Sequence, residues 1–120
     1  MRRILTGLLC GAGFLGIVAA TATIHAAPDP QVIKLSVKKF EFSLKEIHVK
    51  KGMPVVIEVT ALDRLHGFNL PDFDVRGDVN PGQVTRIAFT PSKAGEFEFL
   101  CDIFCGEGHE NVNGKLIVEE

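Results

Sequence analysis

Apolar residues in this chain recur at every second position, in short runs separated by turn formers, and that period decides what it can fold into. Ile33, Leu35 and Val37 point one way, while Lys34, Ser36 and Lys38 point the other. The phase slips at Lys38-Lys39, which predicts a bulge or bend before Phe40 and Phe42. Ile47 and Val49 alternate with Glu46, His48 and Lys50. After a turn at Lys51-Gly52, Val55, Ile57 and Val59 face inward against Val56, Glu58 and Thr60. Asn80-Pro81-Gly82 turns the chain into Thr85, Ile87 and Phe89. Pro91 to Gly95 turns it again, into Phe97, Phe99 and Cys101, which share the core-facing phase. A final strand starts at Asn113-Gly114 and runs through Lys115 to Glu119. No stretch carries a helical period. The turn spacing predicts an all-β fold, a β-sandwich or a small Greek-key barrel.

The leading segment obeys a different rule. Arg2 and Arg3 precede 21 uncharged residues, Ile4 to Ile24, with small residues near their end. That is the layout of an export signal, and Ala20-Thr21-Ala22 fits the small-x-small cleavage pattern. A cut after Ala27 is disfavoured by His25 before it and Pro28 after it. Cys10 follows Leu8-Leu9 with no apolar region before it, which excludes a lipoprotein cysteine. An uncleaved anchor is the rival reading, because a run of this length can span a bilayer with its basic start in the cytoplasm. Residues 1–27 are therefore expected to be an export signal or an N-terminal membrane anchor, and residues 28–120 a single β domain. Either reading places that domain in the periplasm or on the outer face of the cytoplasmic membrane.

At 120 residues the chain is one domain, too small for a large multi-step enzyme. Lys and Arg (13) fall short of Asp and Glu (15), so no nucleic-acid footprint exists. Loss of Arg2 and Arg3 with the leader leaves 11 basic residues against 15 acidic ones, a net charge of −4. Of the three cysteines, Cys101 and Cys105 remain.

The chemistry is concentrated in twelve residues, Cys101-Asp-Ile-Phe-Cys105-Gly-Glu-Gly-His109-Glu-Asn-Val112. Two thiols and an imidazole sit four residues apart on a loop between two strands, short enough to curl around one point. His66, in Asp63-Arg64-Leu65-His66-Gly67-Phe68, comes from a separate strand end and can close the shell. Two thiolates and two imidazoles favour copper or zinc over magnesium or calcium. Two simpler readings stand beside a redox metal: a Cys101–Cys105 disulfide in an oxidising compartment and a structural zinc site. Elsewhere, His48 reads as a solvated surface residue, His25 as part of the leader, and Glu107 and Glu110 as exposed loop charges or hydrogen-bond partners of an imidazole.

Cys-x-x-x-Cys-Gly-x-x-His with an upstream His-Gly-Phe resembles the CuA cupredoxin domain of haem-copper oxidase subunit II and nitrous oxide reductase. The resemblance runs from about Phe40 to Val118. It implies a cupredoxin-like Greek-key β-sandwich or barrel over residues 28–120. It further implies a dinuclear copper centre in which Cys101 and Cys105 bridge two ions, His66 and His109 each bind one, and Ile103 offers its backbone carbonyl. Two departures stand out. The family places Met three residues after the loop histidine, where this chain has Val112, which cannot ligate. The aromatic that family members use for electron entry is also missing, with Phe68 and Phe104 as candidate surrogates.

The resemblance implies an electron carrier rather than an enzyme, working with a redox partner such as a cytochrome, oxidase or reductase. A copper storage or delivery protein and an anchored, subunit II-like component of a terminal oxidase are the alternatives. Membrane association is expected only if the leader is retained.

Overall fold

The computed structural model describes Gly16 and residues 28–120. The signal or anchor expected over residues 1–27 thus lies, Gly16 aside, outside the described residues. Nine strands follow in order: β1 Gln31–Lys38, β2 Glu41–Phe42, β3 Glu46–Lys50, β4 Val55–Ala61, β5 His66–Leu70, β6 Val75–Val79, β7 Val84–Phe89, β8 Gly95–Leu100 and β9 Asn113–Glu119. Two single 3-10 turns, Pro71–Phe73 and His109–Asn111, are also present among the described residues.

The strands form two sheets, ordered β2-β1-β4-β7 and β3-β9-β8-β5-β6. β1 pairs with β4 and β3 with β9 in parallel, while the other neighbouring pairs are antiparallel. Alternation supplies the inner faces, as the sequence predicts. Leu35, Val37, Val55, Ile57 and Val59 come from one sheet, and Ile47, Val49, Phe99, Leu116 and Val118 from the other; all are buried. Phe42, Phe68 and Phe99 fill the centre with ring centroids 5.2–6.1 Å apart. Phe42 meets both other rings edge-on, a favourable arrangement of ring quadrupoles.

Three features depart from the periodic reading. The slip at Lys38-Lys39 is a chain reversal rather than a bulge: Val37 pairs with Phe42 and Lys38 with Glu41, so β2 doubles back on β1. Phe42 is buried, while Phe40 sits at the tip of the reversal and is partly exposed. β5 lacks alternation because four of its five residues are buried, as befits a strand covered on both faces. β6, Val-Arg-Gly-Asp-Val, is half exposed at the sheet edge and interrupted by Gly77, so its period is hidden.

Candidate metal centre

The β8–β9 connection, residues 101–112, is closed at its base by the Leu100–Asn113 pair and by the Cys101 amide donating to the Val112 carbonyl at 3.0 Å. β5 runs antiparallel to β8, with Asn69 opposite Leu100. That register carries His66, the first residue of β5, alongside the chain as it leaves β8. One nitrogen of His66 and the two sulfurs of Cys101 and Cys105 all lie within 4.8 Å of one another. All three residues are at most 1% exposed. Cys101 and Cys105 are free thiols, not a disulfide.

His66 is oriented from both sides. Its Nδ1 lies 3.9 Å from Cys101 Sγ, and its Nε2 lies 2.7 Å from Asp63 Oδ1. Desolvation pushes the Asp63 carboxyl up, but the amides of Lys39 and Arg64 and the His66 ring all donate to it and hold it down at about 2. An ionised carboxylate only accepts. Nε2 therefore carries a ring proton, and Nδ1 is the ring atom that faces the sulfurs.

Cys101 Sγ receives the Gly67 amide at 3.3 Å and donates to the Ile103 carbonyl at 3.2 Å. That carbonyl thus faces the sulfurs while the Ile103 side chain plays no part in the contact. Cys105 Sγ lies 3.5 Å from His109 Nδ1. Burial first, and then the neighbouring Cys101, push the Cys105 thiol up, so proton release needs a compensating positive charge. His109 is half-buried and opens the second 3-10 turn. Gly106 and Gly108 lead into it at φ 133° and 98°, a region that side chains resist. The Phe40 ring lies against both, so close that a Cβ at Gly108 would stand 3.1 Å from it.

Val112 is buried in the same apolar cluster as Cys101 and Cys105. Of the two aromatic candidates, Phe68 is excluded from the surface, fully buried and stacked on Phe99. Phe104 is 71% exposed, with its ring centroid 5.8 Å from that of His109. Among the described residues, Glu107 and Glu110 are exposed and give His109 no side-chain hydrogen bond. Asp63 fills that role instead, for the other imidazole. His48 is on the surface as expected, its ring nitrogens 3.2 Å from Glu119 and 3.4 Å from Glu46. His25 lies outside the described residues.

Sequence reasoning missed Asp63, Phe40, Arg76 and Asp102 as parts of the site. Arg76 on β6 donates to both carboxylate oxygens of Asp102, from Nε at 2.6 Å and Nη2 at 2.8 Å. That pairing holds the Asp102 carboxyl below its usual range. The available signal was Gly67, directly after His66. It has no Cβ because the Asp102 carboxylate occupies that space.

A family model for the cupredoxin-like domain matches residues 11–118. Over 101 residues the chain is 29% identical to cytochrome c oxidase subunit 2 of Thermus thermophilus, covering 84% of this chain and 75% of that one. Over 91 residues it is 33% identical to the nitrous-oxide reductase of Ralstonia nicotianae, covering 72% of this chain and 14% of the reductase. Among solved structures, the periplasmic domain of subunit II of the cytochrome oxidase of Bradyrhizobium japonicum matches with a TM-score of 0.72 at 24% identity. That match covers 79% of this chain and 88% of the other, and is a likeness of fold.

Proposed function

This chain belongs to the cupredoxin-like domain family, and we propose that it is an exported electron-transfer protein with a CuA-like dinuclear copper centre that lacks the axial Met. One observation carries the reading: two enclosed free thiols, each with an imidazole Nδ1 beside it and one with a backbone carbonyl, turned inward at one end of the sandwich. This donor set is soft and borderline, suited to copper. In the proposal His66, Cys101, Cys105 and His109 are the ligands, with the Ile103 carbonyl as a weaker one.

Copper held by His66, Cys101, Cys105 and His109 would supply a reversible one-electron couple. The protein's part is to place and enclose. Asp63 fixes the His66 tautomer and its orientation. The buried thiols and Val112 keep water from the inner side of the site. Val112, three residues after His109 where the family places Met, offers no donor. Weak thioether ligands in copper electron-transfer sites tune the potential, so a centre held by the other donors would assemble without one, at an altered potential. His109 and Phe104 lie on the solvent side, where a redox partner such as a cytochrome, oxidase or reductase docks. The place of action is the periplasm or the outer face of the cytoplasmic membrane, with residues 1–27 as signal or anchor.

Copper stoichiometry, with EPR and visible spectra on the copper-loaded protein, tests this. Two coppers per chain and hyperfine structure from one electron shared over both are expected. One copper with a mononuclear signal would overturn the dinuclear reading. Reversible Cu(I) binding, with fast transfer to an apo acceptor and poor electron exchange, would make the protein a copper-delivery factor. Recovery with a haem-copper partner from membranes would make it an oxidase component.

A further inference from the structure

Between Cys101 and Cys105 the chain is almost free of main-chain tethers. Among the described residues, the loop's backbone hydrogen bonds run from Cys101 to Val112 at its base and among Gly106, Gly108, His109, Asn111 and Val112 beyond it. None involves residues 102–105. Cys105 is anchored by its own buried side chain and by His109. Ahead of it two hydrogen-bonded contacts hold the stretch: the Cys101 thiol on the Ile103 carbonyl, and the Asp102 side chain in the fork of Arg76.

The fork is built rather than incidental. Arg76 lies on β6, opposite Asn69 of β5, and reaches across β5 to the loop. Asp78 on the same strand accepts from Nη2 at 2.9 Å and aims the guanidinium. Two parallel donors to one carboxylate fix its plane as well as its position, which a lone ammonium does not do. Gly67 leaves open the space that the carboxylate occupies, and its amide donates to Cys101 Sγ. Strand β6, strand β5 and the loop therefore meet at the residue between Cys101 and Ile103. Arg76 is too exposed for such a pair to contribute much to global stability. Its consequence is local.

We infer that Arg76, acting through Asp102 and the gap at Gly67, is the positioning residue of this site. It holds residues 102–105 in their metal-ready shape before any ion arrives. The inference deepens the copper reading, but its first test stands without copper. In the metal-free full-length chain, labelling of Cys101 and Cys105 by a small aromatic disulfide reports local opening of the loop. Arg76→Ala is expected to speed labelling about tenfold, equivalent to roughly 1.4 kcal/mol of lost tethering. The melting temperature should barely move. Arg76→Lys should recover part of the protection, since it keeps the charge and loses the fork. Gly67→Ala should give the same acceleration with Arg76 intact, because the new Cβ displaces the carboxylate. If Arg76→Ala does not fold, Asp102→Asn carries the same expectation.

Labelling rates within about twofold of the unaltered chain for both Arg76→Ala and Gly67→Ala would overturn the inference. A second arm uses copper: Arg76→Ala should alter the hyperfine pattern, and Arg76→Lys should restore part of it. If the unaltered protein shows no dinuclear signal, the copper reading falls and the labelling result alone decides the role of Arg76. If it shows that signal while both the labelling rate and the spectrum ignore Arg76, the positioning role falls and the copper reading stands.

Discussion

The two imidazoles of the site face the two sulfurs through the same ring atom, Nδ1, yet they are held by different physics. His66 starts a strand, is fully buried, and is oriented by an ionised carboxylate that itself accepts two main-chain amides. His109 stands on a loop, half-buried, and depends on two left-handed glycines and the ring of Phe40. The inner half is a polar network around a fully buried ring, with Asp63 at its solvent edge, where removing one partner strands the others. The outer half is apolar packing with one side open to solvent, where errors are absorbed by small movements. An electron-transfer site needs both, a part that does not rearrange and a part that a partner can reach.

Substitutions can break that comparison at either half. The largest effect is expected from Cys105→Ser, which removes the sulfur that touches the outer imidazole and lies within reach of the inner one. The shared-electron hyperfine pattern should vanish from the EPR spectrum, and an unchanged spectrum would refute the bridging role. Asp63→Asn keeps the size of the group but removes the charge that fixes His66. Copper affinity should fall about tenfold or more in a chelator competition, the usual cost of losing a hydrogen-bond partner behind a ligand. Glu110→Gln, beside the outer imidazole, should leave affinity unchanged, and equal losses in the two variants would erase the asymmetry.

Gly108→Ala attacks the outer half through its backbone. A side chain at φ 98° costs roughly 1–2 kcal/mol, so thermal unfolding should move down by several degrees. An unaltered melting curve would show that the loop relaxes around the new methyl. The smallest effect is expected farthest from the site, at His48. Its hydrogen bond to Glu119, and then that to Glu46, raise its pKa above the ordinary 6.5. The stabilisation is present in full below that pH and is lost as pH rises through the raised value. His48→Gln should flatten the dependence of melting temperature on pH in that window without touching copper affinity.

What could be read from the sequence follows from how local each signal is. Residues 101–112 carry three of the candidate donors inside one connection, so their spacing alone suggests a metal site. The alternating strands were legible because each is buried on one face only. β5 was not, because the loop and both neighbours bury it and remove the period. Asp63, Arg76 and Phe40 escaped for different reasons. Arg76 and Phe40 acquire their roles only through the register that sets β5 beside β8 and β6 or folds β2 back onto β1. Asp63 lies three residues before His66 and takes its role from the local turn that brings its carboxylate under the ring. Gly67 was the one local trace of that tertiary fact.

The parallel pairing of β3 with β9 also governs the order in which the protein can form. Glu46 meets Lys115 and Lys50 meets Glu119, so the strand that closes the loop against β8 has its second partner far back along the chain. Distant pairings of this kind make folding slow, because a long loop must be closed before any contact rewards it. The β8–β9 pairing closes the base of the loop locally, but the sheet behind it stays unfinished until β3 docks on β9. Thiol trapping during refolding should accordingly show protection arriving with the last phase. The donors are then among the final parts to be enclosed, which leaves the cysteines an interval, set by topology, in which metal and oxidant compete for them.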